Sequence, residues 1–396
     1  MIEDVLLLLG SCLLMRYLCN RLRLPHLVGY LLMGMLMGPF ATGVISDLLI
    51  SQATDIKRMA LAIILIRAGL TLDIKDLKTV GPVAIRMSFL PATFEIVGAS
   101  LIGHYLIQLS WLETFVLGVI IAAVSPAVVV PRMIRLLEQG LGVSAKVPQI
   151  ILAGSSLDDI YTLVLFSMAL LFYQQGEFSY LLLFSLPVSI CLGILLALLL
   201  NILIHSWVNH HPLKSFEWVM LIFLLSLSCL LIESRSQQWV SGLLAVIFLA
   251  NRLKDQNDFP LDSVKKKFNN IWLVAEMFLF FLVGAILPLQ EVTRLGVWPI
   301  VFVLATSVWR MAGVYLSLAG SQLSAKEKVF VLGAYLPKAT VQAAIGSIPL
   351  TLGMPAGNLI FSLAVIEILL TAPLGAWWID VMKDRLLTSP SKATHV

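Results

Sequence analysis

The sequence predicts an all-α polytopic membrane protein, and three observations support this fold class. Of the 396 residues, 59% are hydrophobic and only 13% are charged, against roughly 45–50% and about 25% in soluble domains. The mean hydropathy is +0.95. Apolar runs long enough to cross a bilayer recur along the chain. One soluble domain of this length cannot bury so much apolar surface, so lipid is the expected solvent.

About thirteen segments have the character of membrane spans, and two of them, 27–46 and 238–251, are the weakest. The segments lie near 3–20, 27–46, 58–72, 82–107, 113–134, 147–173, 180–207, 217–233, 238–251, 271–288, 296–319, 327–350 and 358–380. If the N-terminus is outside, twenty Lys and Arg residues fall in inner segments and four in outer segments. The positive-inside rule therefore predicts an outside N-terminus and an inside C-terminus. The net charge of +4 reflects this topology, and no nucleic-acid partner is expected.

The fifth and twelfth spans are expected to be discontinuous. The fifth contains Ser125, Pro126 and Pro131, and the twelfth contains Pro337 followed by polar residues. A proline inside a helix removes a backbone donor and clashes with the preceding turn. In lipid, the freed backbone groups are tolerated only where they are buried in protein or line a cavity. Ordinary kinks are the alternative interpretation of each helix taken alone.

The two interruptions occupy matching places if the seventh span is a linker. The chain then divides into a first repeat of helices one to six (1–179), a linker helix (180–208) and a second repeat with a short cytoplasmic tail (209–396). The two sets of six have opposite membrane orientation. Matched interruptions in two inverted halves indicate a transporter with its binding site near the bilayer midplane.

Asp158 and Asp159 lie midway along the sixth span, with apolar sequence on both sides. A charge at this depth is costly, so it indicates function. Adjacent helical residues point about 100° apart, so one carboxylate can face water while the other meets a basic partner. Ser155 lies one turn earlier and offers another oxygen. Burial and a like charge both favour a protonated carboxyl group, which can then release its proton and bind a hard cation.

Further charged and polar residues fall inside apolar runs. Glu95 and Arg310 occupy the middle of the fourth and eleventh spans, the fourth members of each set. They are expected to pair, either as a gate that forms and breaks or as a static bridge; Arg310 could instead pair with Asp158. Lys338, at the second interruption, could neutralise helix ends or Asp158, with Thr340 and Gln342 as polar contacts between helices. Arg67 is expected more often to pack than to function, and Glu367 has no assigned role.

Four segments together resemble the NHA branch of the cation/proton antiporter superfamily. They are Ile66–Leu70 (IRAGL), Val124–Pro131 (VSPAVVVP), Ala153–Asp159 (AGSSLDD) and Leu336–Ala344 (LPKATVQAA), in an order and spacing that span nearly the whole chain. The resemblance implies a homodimer, crossed broken helices and elevator-like motion of a core domain against a dimer domain. It implies that Asp159 is the main ion and proton carboxylate and Asp158 its companion, together the Na⁺ or Li⁺ ligands. Electrogenic relatives pair a lysine with the first aspartate, where the eleventh span here carries Arg310.

The expected function is therefore exchange of Na⁺ or Li⁺ for protons by alternating access, with both ions competing at Asp158 and Asp159. The alternatives of the same fold are K⁺/H⁺ exchange and sodium-coupled uptake of an organic anion. An intramembrane aspartyl protease is disfavoured, because neighbouring carboxylates on one helix diverge, and a scaffold without flux would not explain the buried charges. No enzyme activity and no cofactor is expected. Short loops suggest a bacterial inner membrane.

Overall fold

All regular secondary structure is α-helical over the residues that the computed structural model describes, which are 2–71, 81–175, 180–208, 213–236, 239–256 and 259–388. The helices are α1 Ile2–Leu22, α2 His26–Met37, α3 Asp47–Ser51, α4 Ala53–Thr71, α5 Pro82–Met87, α6 Leu90–Ile107, α7 Trp111–Ala122, α8 Pro126–Glu138, α9 Val147–Gln175, α10 Tyr180–Val208, α11 Ser215–Arg235, α12 Gly242–Leu253, α13 Leu261–Ala285, α14 Leu289–Leu295, α15 Trp298–Ser317, α16 Ala325–Ala334, α17 Thr340–Ile345, α18 Ile348–Thr351 and α19 Gly357–Leu386. The predicted fold class is confirmed.

Eight helical stretches within the described ranges are long and apolar enough to cross a membrane. Each of the thirteen predicted spans contains at least one helix, but the two weakest are short. Helices α2 and α12 have 12 residues each, which at about 1.5 Å per residue falls well below a hydrocarbon thickness of about 30 Å. Thirteen crossings and an outside N-terminus therefore stay predictions.

The chain forms two compact units. The first comprises Met1–Ala53, Asp73–Thr162 and Leu279–Val396, and the second comprises Thr54–Leu72 and Leu163–Phe278. This division follows spatial proximity and does not test the predicted repeats, which stay a prediction. The boundaries predicted at 179 and 209, and the tail at 389–396, lie outside the described residues.

Helix α15 of the first unit buries polar side chains and exposes apolar ones, as a helix of a bundle in lipid does. In α15, Thr306 and Arg310 are buried, whereas Leu304 and Val308 are more than half exposed. Helix α6 packs against α7 and α15, and α16 packs against α19. Ionisable residues of membrane helices are expected to face the bundle interior in this way. These contacts bring the middles of several helices together.

Glycines let α2 and the end of α13 approach closely within the first unit. A Cβ added at Gly34 would overlap the carbonyl oxygen of Phe281, and one added at Gly284 would overlap that of Leu31. Small residues at four-residue spacing, as at Gly34 and Gly38, commonly permit such backbone contact between membrane helices.

Substitution at this contact is expected to destabilise the protein. Gly34→Ala forces the two helices apart and should cost roughly 1–3 kcal/mol, as overpacking does elsewhere; thermal unfolding in detergent measures it. Gly10→Ala in α1 is the matched control, because an added Cβ there meets nothing within 4 Å. Equal stability of the two variants would contradict the close contact.

The second unit contains Arg67, whose surroundings are those of a packing residue. Its Nε donates to Asn269 Oδ1 at 2.9 Å, and its guanidinium lies 5.2 Å from the centre of the Trp272 ring. Glu276 adds an electrostatic attraction. These contacts give the partly buried guanidinium of Arg67 its partners within its own unit.

Candidate functional site

The two predicted helix interruptions meet in the first unit. Helix α7 ends at Ala122, the next three residues are not helical, and α8 begins at Pro126; α16 ends at Ala334 and α17 begins at Thr340, which is buried. The backbone N–H of Ser125 donates to the carbonyl oxygen of Pro337 at 2.7 Å. The first break, Ala123–Ser125, and the second break, Tyr335–Ala339, are therefore hydrogen-bonded to one another.

Pro131 is a correction to the predicted break. It lies inside α8, which continues to Glu138, whereas Pro126 is the first residue of that helix. A proline at the first helical position costs no hydrogen bond, since that N–H has no partner within the helix. The helix is interrupted before Pro126 because the backbone of residues 123–125 hydrogen-bonds to other parts of the chain, as the N–H of Ser125 does with Pro337.

Three side chains cover the carbonyl oxygens at the end of α7. The last carbonyls of a helix lack partners within it, and here they belong to Ile121–Ala123. Lys338 Nζ donates to the first at 2.6 Å, Arg310 Nη1 donates to the second, and Gln342 Nε2 donates to the third at 2.8 Å. Gln342 Oε1 also accepts from the N–H of Ala339 at 2.9 Å. Positive charges at this end of a helix are favoured by its dipole.

The Asp158 carboxylate accepts hydrogen bonds from the first break and from α15. Its Oδ2 accepts from the backbone N–H of Val124 at 2.8 Å and from Arg310 Nη2 at 3.1 Å. Its Oδ1 is buried without a hydrogen-bond partner among the described residues. The side chain is fully buried, so α9 is tied through one carboxylate oxygen both to the first break and to α15.

Asp159 has a different environment from its neighbour. The residue is 5% exposed, and its buried Oδ1 has no hydrogen-bond partner in the described part of the chain. Ser155 is buried and donates to the carbonyl of Leu152 at 3.1 Å, which leaves its oxygen lone pairs as acceptors. The pair therefore consists of one carboxylate fixed by an arginine and one that no ion pair within the described residues fixes, and each keeps a buried oxygen without a partner.

Glu95 joins both buried cations. Its Oε2 accepts from Arg310 Nη1 at 2.7 Å and from Lys338 Nζ at 2.5 Å, and all three side chains are at most 1% exposed. Arg310 thus serves Glu95 and Asp158 together, and Lys338 pairs with Glu95 instead of Asp158. Arg310 Nε also donates to the carbonyl of Tyr335 at 2.7 Å.

Sequence reasoning missed several contributors to this network. The hydroxyl of Thr371 accepts from the backbone N–H of Lys338 at 3.0 Å and donates to the carbonyl of Glu367 at 2.8 Å. The Tyr335 ring lies 5.3 Å from the Arg310 guanidinium. The sequence feature that could have pointed to these contributors is Glu367, a charged residue within an apolar run. Within the described residues, no group of three His, Cys, Asp or Glu side chains is arranged to hold a metal ion.

Comparison with known proteins assigns the family. The model described as sodium/hydrogen exchanger, transmembrane, matches residues 8–382. The chain belongs to the sodium/hydrogen exchanger family. Sodium/hydrogen exchanger 9B2 of Mus musculus is 31% identical over 391 residues, which cover 94% of this chain and 70% of the relative. The Homo sapiens 9B2 protein is 32% identical over 385 residues, with 92% and 70% covered.

A solved structure supports the exchanger fold. The sodium proton antiporter of Methanocaldococcus jannaschii superimposes with a TM-score of 0.81 at 22% identity, covering 97% of this chain and 98% of that one. The predicted resemblance to NHA-type antiporters is thereby confirmed, as is an integral, multi-pass membrane protein. The relatives named here are transporters from mammals and an archaeon, so they give the predicted bacterial inner membrane no support.

Proposed function

We propose that this member of the sodium/hydrogen exchanger family exchanges Na⁺ or Li⁺ for protons at Asp158 and Asp159. The observation that carries the proposal is the asymmetry of the pair. Asp158 and Asp159 each keep a buried oxygen without a described partner, but only Asp158 is fixed through its other oxygen by Arg310 and a backbone N–H; no ion pair within the described residues fixes Asp159. A group that must bind and release two different ions needs such uncommitted oxygen.

Competition at Asp159 links the two ions. A buried carboxyl group is costly as a free anion, so it holds either a proton or a cation. Oxygen ligands suit a hard cation, and Asp159 would be joined by the unpaired Oδ1 of Asp158 and the hydroxyl oxygen of Ser155. If only the loaded protein changes the side to which it opens, exchange follows without further machinery.

Arg310 determines how much net charge one transport cycle moves across the membrane. A guanidinium does not release its proton in proteins, so Arg310 keeps Asp158 ionised and does not itself carry protons. One cation then replaces one proton at Asp159, and the cycle moves no net charge. Glu95 and Lys338 hold this arrangement at the break without taking part in binding.

The resemblance also leads us to propose a homodimer in which a core domain moves against a dimer domain. The first unit, which contains the entire candidate site, is the proposed moving body. Native mass spectrometry of the detergent-solubilised protein tests the oligomeric state, and a monomer would contradict the dimer.

Exchange is tested in proteoliposomes with an acidic lumen and an internal pH dye. Addition of Na⁺ or Li⁺ outside is expected to alkalinise the lumen, at a rate unchanged when the membrane potential is clamped. A rate that follows the potential would contradict one-for-one exchange. A response to K⁺ alone would replace the proposed cation, and no proton flux with any of the three ions in folded protein would favour sodium-coupled organic-anion transport.

A further inference from the structure

Glu367 is a buried carboxyl group that the exchange mechanism does not use. It lies in α19, has no exposed surface, and neither of its carboxyl oxygens has a hydrogen-bond partner among the described donors. Its electrostatic neighbours are Lys338, Glu95 and Arg310, and it lies within hydrogen-bonding reach of the Glu95 carboxyl group. A carboxylate in this position would be an anion beside another anion.

The charges of the cluster do not balance if every group is ionised. Arg310 and Lys338 supply two positive charges, and the acids to be matched are Glu95, Asp158, Asp159 and Glu367. The ion pairs use Glu95 and Asp158. An ionised carboxylate left unpaired in the interior is strongly destabilising. Two carboxyl groups must therefore be neutralised by a proton or a cation: Asp159, as proposed above, and Glu367.

The geometry around Glu95 provides an acceptor for a proton on Glu367. Glu95 receives both cations on Oε2, and its Oε1 is buried without a described partner. Two neighbouring carboxyl groups share one proton when they cannot both ionise, and a protonated carboxyl group has one O–H to donate. One proton between Glu367 and Glu95 satisfies an orphaned oxygen on each side.

We propose that Glu367 carries a resident proton and donates it in a hydrogen bond to Glu95 Oε1, as a neutral positioning residue. This proton is distinct from the one exchanged at Asp159 and stays bound through the cycle. Its role is to hold Glu95 where one oxygen accepts from both Arg310 and Lys338. The contact from Thr371 to the backbone of Lys338 ties the same turn of α19 to the second break.

Infrared spectroscopy of the full-length protein tests the resident proton directly. Asp159→Asn, which lacks the carboxyl group of the proposed exchange site, is expected to show the carbonyl-stretch band of a buried carboxylic acid at neutral and alkaline pH, unchanged when Na⁺ is added. Adding Glu367→Gln to Asp159→Asn should remove this band. A double-variant spectrum that keeps the band would overturn the proposal, and so would loss of the band from Asp159→Asn on addition of Na⁺. This arm does not depend on the proposed exchange.

Transport by the variants, which does rest on the proposed function, tests the positioning role. Glutamine is a neutral donor of similar shape, so Glu367→Gln is expected to fold and to exchange with the wild-type pH profile. Glu367→Leu lacks the donor and should lose both thermal stability and exchange. A shifted pH profile in Glu367→Gln would mean that this proton is exchanged, and failure of Glu367→Gln to fold would mean that the anion is required. Either result contradicts the proposal.

Discussion

Asp159→Asn is expected to reduce cation-dependent proton flux to the level of empty vesicles while the protein stays folded. Asparagine is close in shape but neither releases a proton nor neutralises a cation. The unfolding free energy should change by less than about 1 kcal/mol, because the buried Oδ1 of Asp159 has no described hydrogen bond to lose. Flux assays in proteoliposomes and thermal unfolding in detergent measure the two quantities on the same preparation.

Two other carboxylate variants serve as controls for Asp159→Asn. Asp55→Asn is the matched control, since the Asp55 side chain is 78% exposed and its ion pair is with Arg58 at 3.7 Å, and it should leave flux and stability unchanged. Asp158→Asn should lower stability as well as flux, because it removes the charge that faces buried Arg310. Flux that persists in Asp159→Asn and is lost only in Asp158→Asn would transfer the exchange role to the first aspartate.

Arg310→Met is expected to destabilise the protein more than any other single change at the site. Arg310 is the cation shared by Glu95 and Asp158, and it also covers the carbonyls of Ala122 and Tyr335. Removing one partner of a buried ion pair costs about 3–5 kcal/mol, because the other charge is left uncompensated. Thermal unfolding in detergent measures the loss, and Arg310→Lys separates charge from shape. Lysine keeps the charge but cannot make several directed contacts at once, so an intermediate loss is expected.

A double variant distinguishes lost charge balance from lost packing. Arg310→Met combined with Asp158→Asn removes one positive and one negative charge, so the double variant should recover part of the stability lost in Arg310→Met alone. The coupling energy from this cycle measures the interaction between the two side chains. A strictly additive cycle would contradict the ion pair between them.

The sequence patterns predicted the helices and the breaks well because lipid imposes simple rules. Apolar length predicts a span, and proline within a span predicts an interruption, so the breaks near Pro126 and Pro337 could be located to within a few residues. The exact break at Ala123–Ser125 could not, since it depends on hydrogen bonds to Asp158 and Pro337 from distant parts of the chain. Proline alone wrongly included Pro131.

The sequence predicted which residues form the candidate site better than it predicted which of them bond to one another. Buried charges are rare enough in apolar runs that Glu95, Arg310 and Lys338 could be selected from the sequence. Lys338 bonds Glu95 instead of Asp158, and this choice depends on the side-chain register of helices that are far apart in sequence. Glu367 received no role because its partner is another acid, and a search for opposite charges passes over such a pair.

The covered carbonyls at the end of α7 have a consequence for how the protein is made. Their donors, Arg310, Lys338 and Gln342, follow 188 to 219 residues later in the chain. The carbonyl oxygens at the end of α7 are therefore synthesised long before the side chains that donate hydrogen bonds to them. A backbone group without a hydrogen-bond partner in lipid costs several kcal/mol. The N-terminal half cannot mature as it emerges. The break must wait beside water or a chaperone until α15 to α17 have been inserted, so assembly of the candidate site is a late event in biosynthesis.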